Sequence, residues 1–293
     1  MTPGALLLVL LSAGTHAYWN YLLKRAGGGH AFIALSKAAE ALVFLPAFLA
    51  LAWAAPPGAL GGVAPFVAVG TGFVLASYVT LGAAYRAGDL SFIYPIARGG
   101  ALLFLPLLGW LFLGERVGPV GWVAIAAILA GVAVMQLPAL TRAGLRALGT
   151  HLRGPATLLA LLMALVLAAS TIWDKHAVRS VSLWGYFYGY TAAAGACYLA
   201  WVLRADGPAR VRAEWRAHGR TALAVGVLNT VSYGLALLAL RTGGSTYVVG
   251  LRQVSIAVGV WLGARWLGEE VSRPRRVGVA LLLAGCVLMA WGR

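Results

Sequence analysis

The sequence predicts an all-α polytopic membrane protein, with ten transmembrane helices arranged as two inverted five-helix repeats. Three observations predict it. The 293-residue chain is 61% apolar and only 11% charged, too few charges to coat a water-soluble globule of that length. Its apolar residues gather in runs of about 20, which at about 1.5 Å rise per residue cross a hydrocarbon core roughly 30 Å thick. The second half of the chain also repeats the first. A gapless shift of 154 positions brings Arg98 onto Arg252, Gly109 onto Gly263, and Leu113-Gly114-Glu115 onto Leu267-Gly268-Glu269. The same shift brings Ala130-Gly131 onto Ala284-Gly285 and, upstream, Trp19-Asn20 onto Trp173-Asp174.

The ten runs lie at about 4–23, 31–53, 63–85, 90–113, 119–137, 156–175, 182–203, 221–240, 245–267 and 275–292. The first lacks a basic leading segment and is followed by Lys24-Arg25 rather than a small-residue cleavage site, so it reads as a retained helix. Gly and Pro inside several runs are tolerated because neighbouring helices re-satisfy the freed backbone groups. The polar stretch 138–155 separates five runs from five, which makes 1–137 the first repeat, 138–155 a basic linker and 156–293 the second repeat. Five is odd, so the second half enters the membrane from the opposite face, and the two halves enclose a pocket near the midplane.

The net charge of +15 sits in short loops between the runs, chiefly at 138–155 and at 204–220, which holds five arginines. Without a soluble domain to carry a binding surface, such a charge points to anionic lipid rather than to nucleic acid. The arginine-rich loops follow the odd-numbered runs, so the positive-inside rule places them in the cytoplasm and both termini outside. Cys197 and Cys286 fall inside runs and imply neither a disulfide framework nor a metal site. No HExxH, nucleophile–base pair or paired carboxylates suggest a membrane enzyme, and nothing calls for a cofactor.

Arg98 lies about eight residues into the fourth run, roughly 12 Å along the span. An arginine there costs roughly 2.5–3.5 kcal/mol on insertion scales, and its recurrence as Arg252 points to use. Guanidinium presents a planar fork of donors that matches two oxygens of a carboxylate, phosphate or phosphonate. A pair with Asp174 or Glu40 is the structural alternative. Tyr94 precedes Arg98 by one turn, and Arg252 has Tyr247 and Gln253 nearby in sequence, so each arginine gains a second polar group. His16 and Asn20 share a helical face beside Trp19, and Trp19-Asn20 and Trp173-Asp174 form a second repeat-matched pair that could line the cavity. Tyr78, with Ser77, Thr80, Asn229, Ser232 and Tyr233, adds further possible lining. Asp174 and Glu40 are the acids that fall well inside runs, and burial and a facing arginine pull such a carboxyl's proton affinity in opposite directions. Asp174 suits proton coupling better, because its repeat partner Asn20 does not titrate. A static bridge to Lys175 or Arg179 competes with that role, and Glu115 and Glu269, at repeated Gly-Glu turns, read as structural.

The segments His16-Ala17-Tyr18-Trp19-Asn20 with Lys24, Tyr94-Pro95-Ile96-Ala97-Arg98-Gly99 and Leu113-Gly114-Glu115-Arg116 resemble the EamA branch of the drug/metabolite transporter superfamily, over essentially the whole chain. The resemblance implies a multi-pass protein of a bacterial cytoplasmic membrane, monomeric or homodimeric. It implies export of a small metabolite, often with protons, through a cavity lined by the first four helices of each half while the fifth packs outside. The pattern in the first and fourth helices is similar to a subgroup associated with phosphonate utilisation. The function expected is therefore secondary transport of a small anionic or zwitterionic metabolite (amino acid, organic acid or phosphonate-like), with a lipid-headgroup flippase of the same fold as the alternative. The resemblance also implies cytoplasmic termini, against the loop charge. A C-terminal alkaline phosphatase fusion separates the two: the charge count predicts an active enzyme, and a fluorescent C-terminal GFP fusion instead would reverse the orientation.

Overall fold

The computed structural model describes residues 3–87 and 90–292, which form α-helices joined by turns, with no strand among the described residues. In order these are α1 (Pro3–Arg25), α2 (His30–Ala54), α3 (Val63–Ala87), α4 (Leu90–Leu113), α5 (Pro119–Met135) and α6 (Arg142–Leu152). There follow α7 (Pro155–Ser180), α8 (Leu183–Ala205), α9 (Gly207–Thr242), α10 (Ser245–Arg252), α11 (Val254–Trp266) and α12 (Arg273–Trp291). Eight helical stretches among the described residues are long and apolar enough to cross a membrane, α10 and α11 counting together as one. The two remaining apolar runs form α5, which is 17 residues long, and α8, whose Tyr186, Tyr188, Tyr190 and Tyr198 lower its apolarity. The chain is a multi-pass, all-helical membrane protein.

Local chemistry sets the helix ends. Proline opens α5 and α7, where its missing N–H would be unsatisfied anyway. Ser182 and Ser272 cap α8 and α12 by accepting the N–H groups of Gly185 and Arg275. The repeated Leu-Gly-Glu builds the same turn twice. Gly114 and Gly268 take left-handed φ values of 65° and 68°, and Glu115 and Glu269 return their N–H groups to the carbonyls of Gly109 and Gly263 at 3.0 and 3.1 Å. That six-residue closure satisfies a helix-terminal carbonyl and needs glycine for its positive φ.

Three expectations change. The ninth run is not one helix: it breaks at Gln253, whose N–H bonds back only three residues to Gly250 while its side-chain amide takes the Val249 carbonyl. The polar stretch 204–220 is helical from Gly207 onward and continues into α9, since Pro208 starts it and no further proline interrupts the Ala- and Arg-rich sequence. Within 138–155 lies α6, which packs on α7 and whose first turn is capped by Thr141 Oγ1 accepting the Gly144 N–H.

In the bundle α1 packs on α9 and α11, α4 on α7, α3 on α7 and α8, and α2 on α8 and α9. Polar glue joins α1 to α9: fully buried Ser12 and Ser232 each donate a hydroxyl to the other's carbonyl, at 2.7 and 2.8 Å. The closest approach is between α5 and α12, where glycines bring the two backbones together. A Cβ on Gly131 would stand 2.6 Å from the Gly278 carbonyl oxygen, and one on Gly278 would stand 2.6 Å from the Gly131 oxygen. Leucine at either position should therefore destabilise the protein by about 1–3 kcal/mol or more through overpacking. Gly14→Leu, at a position with nothing within 4 Å, should leave thermal unfolding in detergent unchanged.

Candidate functional site

The two repeat-matched arginines lie in the interior of the bundle, on α4 and at the end of α10, both half-buried. The buried side chain of Gln253 links their helices: its Nε2 donates to the Val249 carbonyl at 3.1 Å and reaches the Arg98 carbonyl at 3.5 Å. The Arg252 guanidinium stands over the Tyr233 ring, 5.7 Å from its centroid, in a cation–π arrangement. Arg98 and Arg252 both act electrostatically on buried His16 of α1, whose ring meets Trp19 edge-on at 4.9 Å.

Asp174 sits beside this basic group, within electrostatic range of Arg252. It is buried, and its two oxygens accept one hydroxyl each, from Tyr186 of α8 and Tyr233 of α9, both at 2.5 Å. Such short O–H···O⁻ bonds belong to the strong class that ionised acceptors form. Tyr186 has room to reach across because α3 carries glycine at position 70, where a Cβ would stand 2.8 Å from the phenol oxygen. Lys175 and Arg179 do not hold Asp174: Lys175 pairs with Glu115, and Arg179 faces the Arg241 carbonyl. The phenols win because they approach from neighbouring helices on the same face.

Glu40 anchors a second polar cluster. Lys37, one turn earlier on α2, pairs with it at 2.6 Å, while Asn229 and Thr230 of α9 donate to its other oxygen at 2.7 and 3.1 Å. Tyr78 interacts with Lys37 and packs its ring 4.7 Å from that of Tyr198. Tyr190 of α8 lies between the clusters and feels both Asp174 and Glu40.

His16, Arg98, Arg252, Gln253 and Asp174 thus meet as candidate site residues, whereas Glu40 and Tyr78 gather apart. Tyr247 turns away: its hydroxyl accepts the Gly118 N–H at 3.2 Å, and the tyrosine beside Arg252 is Tyr233 instead. Trp173 donates its indole N–H to the Phe66 carbonyl at 3.2 Å, and Asn20 bonds the His16 carbonyl one turn back on its own helix. Tyr94 belongs to α4, but its side chain lies outside the described residues. Tyr186, Tyr190, Lys37 and Thr230 go unmarked in the sequence reading. A tyrosine at every second position of α8 from Tyr186 to Tyr190 was the available signal.

Residues 154–291 match the profile of the EamA-like transporter family. A 64-residue stretch is 33% identical to the spermidine export protein MdtI of Salmonella arizonae, covering 22% of this chain and 59% of that protein. A 63-residue match to the same-named protein of Salmonella paratyphi B is also 33% identical and covers 22% and 58%. The chain therefore spans somewhat over half the length of these curated relatives. A solved crystal structure superposes with a TM-score of 0.76 at 16% identity, over 98% of this chain and 96% of its own, a likeness of fold.

If the Tyr186 phenol holds Asp174, Tyr186→Phe should lower stability by roughly 1.5–3 kcal/mol, the usual worth of a hydrogen bond to a charged group. Gly70→Val should act in the same direction by pushing the phenol aside. Thermal unfolding in detergent reads both, and unchanged midpoints would remove the contact from any account of the site.

Proposed function

With residues 154–291 matched to its profile, the chain belongs to the EamA-like transporter family, and from that premise we propose that it moves a small anionic or zwitterionic metabolite across a bacterial cytoplasmic membrane by alternating access. The observation that carries this reading is the meeting of Arg98, Arg252 and His16 beside Asp174 inside an apolar bundle. Guanidinium groups in a low-dielectric interior attract a carboxylate, phosphate or phosphonate strongly and orient it through paired donors. Trp19 and Trp173 are walls in this reading.

Ten spans in two inverted halves, 1–137 and 156–293, suit that mechanism, and the packing supports them. Exchanging the halves turns the α1–α9 contact into α7–α3, and the α4–α7 contact into that of α10 and α11 with α1. The α2–α8 and α5–α12 contacts map onto themselves. Asp174 is the proposed proton carrier. Glu40 is the weaker candidate, because Lys37 already neutralises it. Export is the direction that the names of the relatives favour.

A cationic substrate is the second reading, favoured by the two buried carboxylates and by the spermidine exporters among the relatives. A thermal-shift screen of amino acids, organic acids and phosphonates against spermidine decides between them, because stabilisation follows binding by mass action. In proteoliposomes loaded with the best-stabilising compound, Arg98→Lys should weaken binding by about tenfold or more, since it keeps the charge and loses the fork. Asp174→Asn should retain exchange but lose accumulation driven by a pH gradient. Wild-type binding by Arg98→Gln, or accumulation by Asp174→Asn, would return the residue to a structural role.

A further inference from the structure

Lys175 follows Asp174 directly on α7, and Ser245 and Arg252 occupy the two ends of α10, so the site's helices also carry a second set of polar groups at one end of the bundle. There the Lys175 ammonium, buried to 2% exposure, pairs with the Glu115 carboxylate and also donates to the Gly243 carbonyl. The other Glu115 oxygen accepts both the N–H and the hydroxyl of Ser245, at 2.8 and 2.6 Å. The residue before α10 is Gly244, which has no side-chain cap to offer, so Glu115 of the opposite half caps that helix. Gly109 leaves the space: a Cβ on it would stand 3.3 Å from both Glu115 Oε2 and Ser245 Oγ. Four segments, the turn after α4, the end of α7, the end of α9 and the start of α10, are thereby tied together where an opening on that side must part them.

The repeat-related glutamate behaves differently. Glu269 pairs with Lys24 of α1, again the first helix of the opposite half, but the side chains there are 26% and 57% exposed against 17% and 2% for Glu115 and Lys175. One ion pair is sealed and its counterpart lies open to the surroundings. A buried pair holds its partners far more firmly than an exposed one, because removing either member strands the other charge.

We propose that Glu115, Lys175 and Ser245 form the gate of the mouth at which α4 and α7 end and α10 begins, closed in this structure and driven from the central site through Asp174 on α7 and Arg252 on α10. The proposal rests on the transport reading given above. Opening must break the Lys175–Glu115 pair and uncap α10, and a substrate or proton that shifts Asp174 or Arg252 pulls on the residues that hold it shut. Lys24 and Glu269 guard the opposite mouth, which is the less tightly sealed of the two.

The test needs no substrate. Thr246, which is 2% exposed beside the gate, is changed by Thr246→Cys in a Cys197→Ser, Cys286→Ala background, because the native Cys286 thiol bonds the Gly250 carbonyl of α10, and a water-soluble methanethiosulfonate reagent reports the new thiol's accessibility in the purified protein. Glu115→Gln and Lys175→Met should each raise the labelling rate roughly tenfold, and together no further, because they disable one device. Ala34→Cys in the same background, at a fully buried position of α2 packed among Tyr198, Val202 and Val211, should stay unlabelled, which separates gate opening from general loosening. Should Glu115→Gln fail to fold, Ser245→Ala removes a single hydroxyl and should still raise the rate severalfold. Unchanged rates in folded protein, or equal gains at Thr246→Cys and Ala34→Cys, overturn the gate. If labelling rises as expected while Arg98→Gln leaves metabolite binding intact, the gate stands and the substrate assignment falls.

Discussion

An ionised group in a lipid-embedded bundle must find a partner inside the protein, and this constraint orders the rest of the structure. The Glu40 carboxylate is met by an ammonium, an amide and a hydroxyl, and that of Asp174 by two phenols. All of these partners except Lys37 come from a different helix, so satisfying the charge also fixes how those helices lie against one another. Small residues do the complementary work. Gly70 admits the Tyr186 phenol, Gly109 admits the Glu115–Ser245 contact, and Gly131 and Gly278 let α5 and α12 touch backbone to backbone. In lipid, where apolar burial between helices contributes little, close packing and buried polar contacts are the available sources of specificity.

Much of this architecture is legible in the chain before any coordinates. Apolar run lengths mark most helices to within a few residues, the early start of α9 and the broken ninth run excepted, and the 154-residue offset singles out Arg98, Arg252 and Asp174 and both Leu-Gly-Glu turns. What escapes is pairing. Nothing local says that Lys37 belongs to Glu40 or that Asp174 prefers Tyr186 and Tyr233 to the adjacent Lys175, since tertiary approach decides these choices. Tyr247 illustrates the same limit: it lies near Arg252 in sequence, yet its hydroxyl serves the Gly118 N–H in the turn before α5. The break at Gln253 is likewise invisible to hydropathy, which registers an uninterrupted run while the backbone tightens under a competing side-chain amide.

The stretches that the 154-residue shift brings together share their turns but differ in charge and in helix continuity, since α4 runs unbroken where α10 and α11 divide. Both carry an arginine at the matching position and the same glycine-closed turn, yet Asp174 answers Asn20 and a less exposed glutamate answers a more exposed one. Exact equivalence would leave the two faces of the bundle indistinguishable. Of the glycines that set helix approach, Gly109 and Gly131 recur as Gly263 and Gly285, whereas Gly70 and Gly278 fall on Ala224 and Ala124.

One helix has a reach the others lack. The 36 residues of α9 span about 54 Å at 1.5 Å each, nearly twice a bilayer's hydrocarbon core, and its arginine-rich first turns pack on α2 and α8 through buried Val211. Farther along, Gly226 rests against α2 so closely that a Cβ would meet the Ser36 carbonyl oxygen at 2.7 Å, which makes that crossing a natural fulcrum. Just beyond it come Asn229 and Thr230, bound to Glu40, and one turn later Tyr233, bound to Asp174. Because this one helix carries partners of both carboxylates, a displacement of α9 relative to α2 and α7 reaches the two acids together.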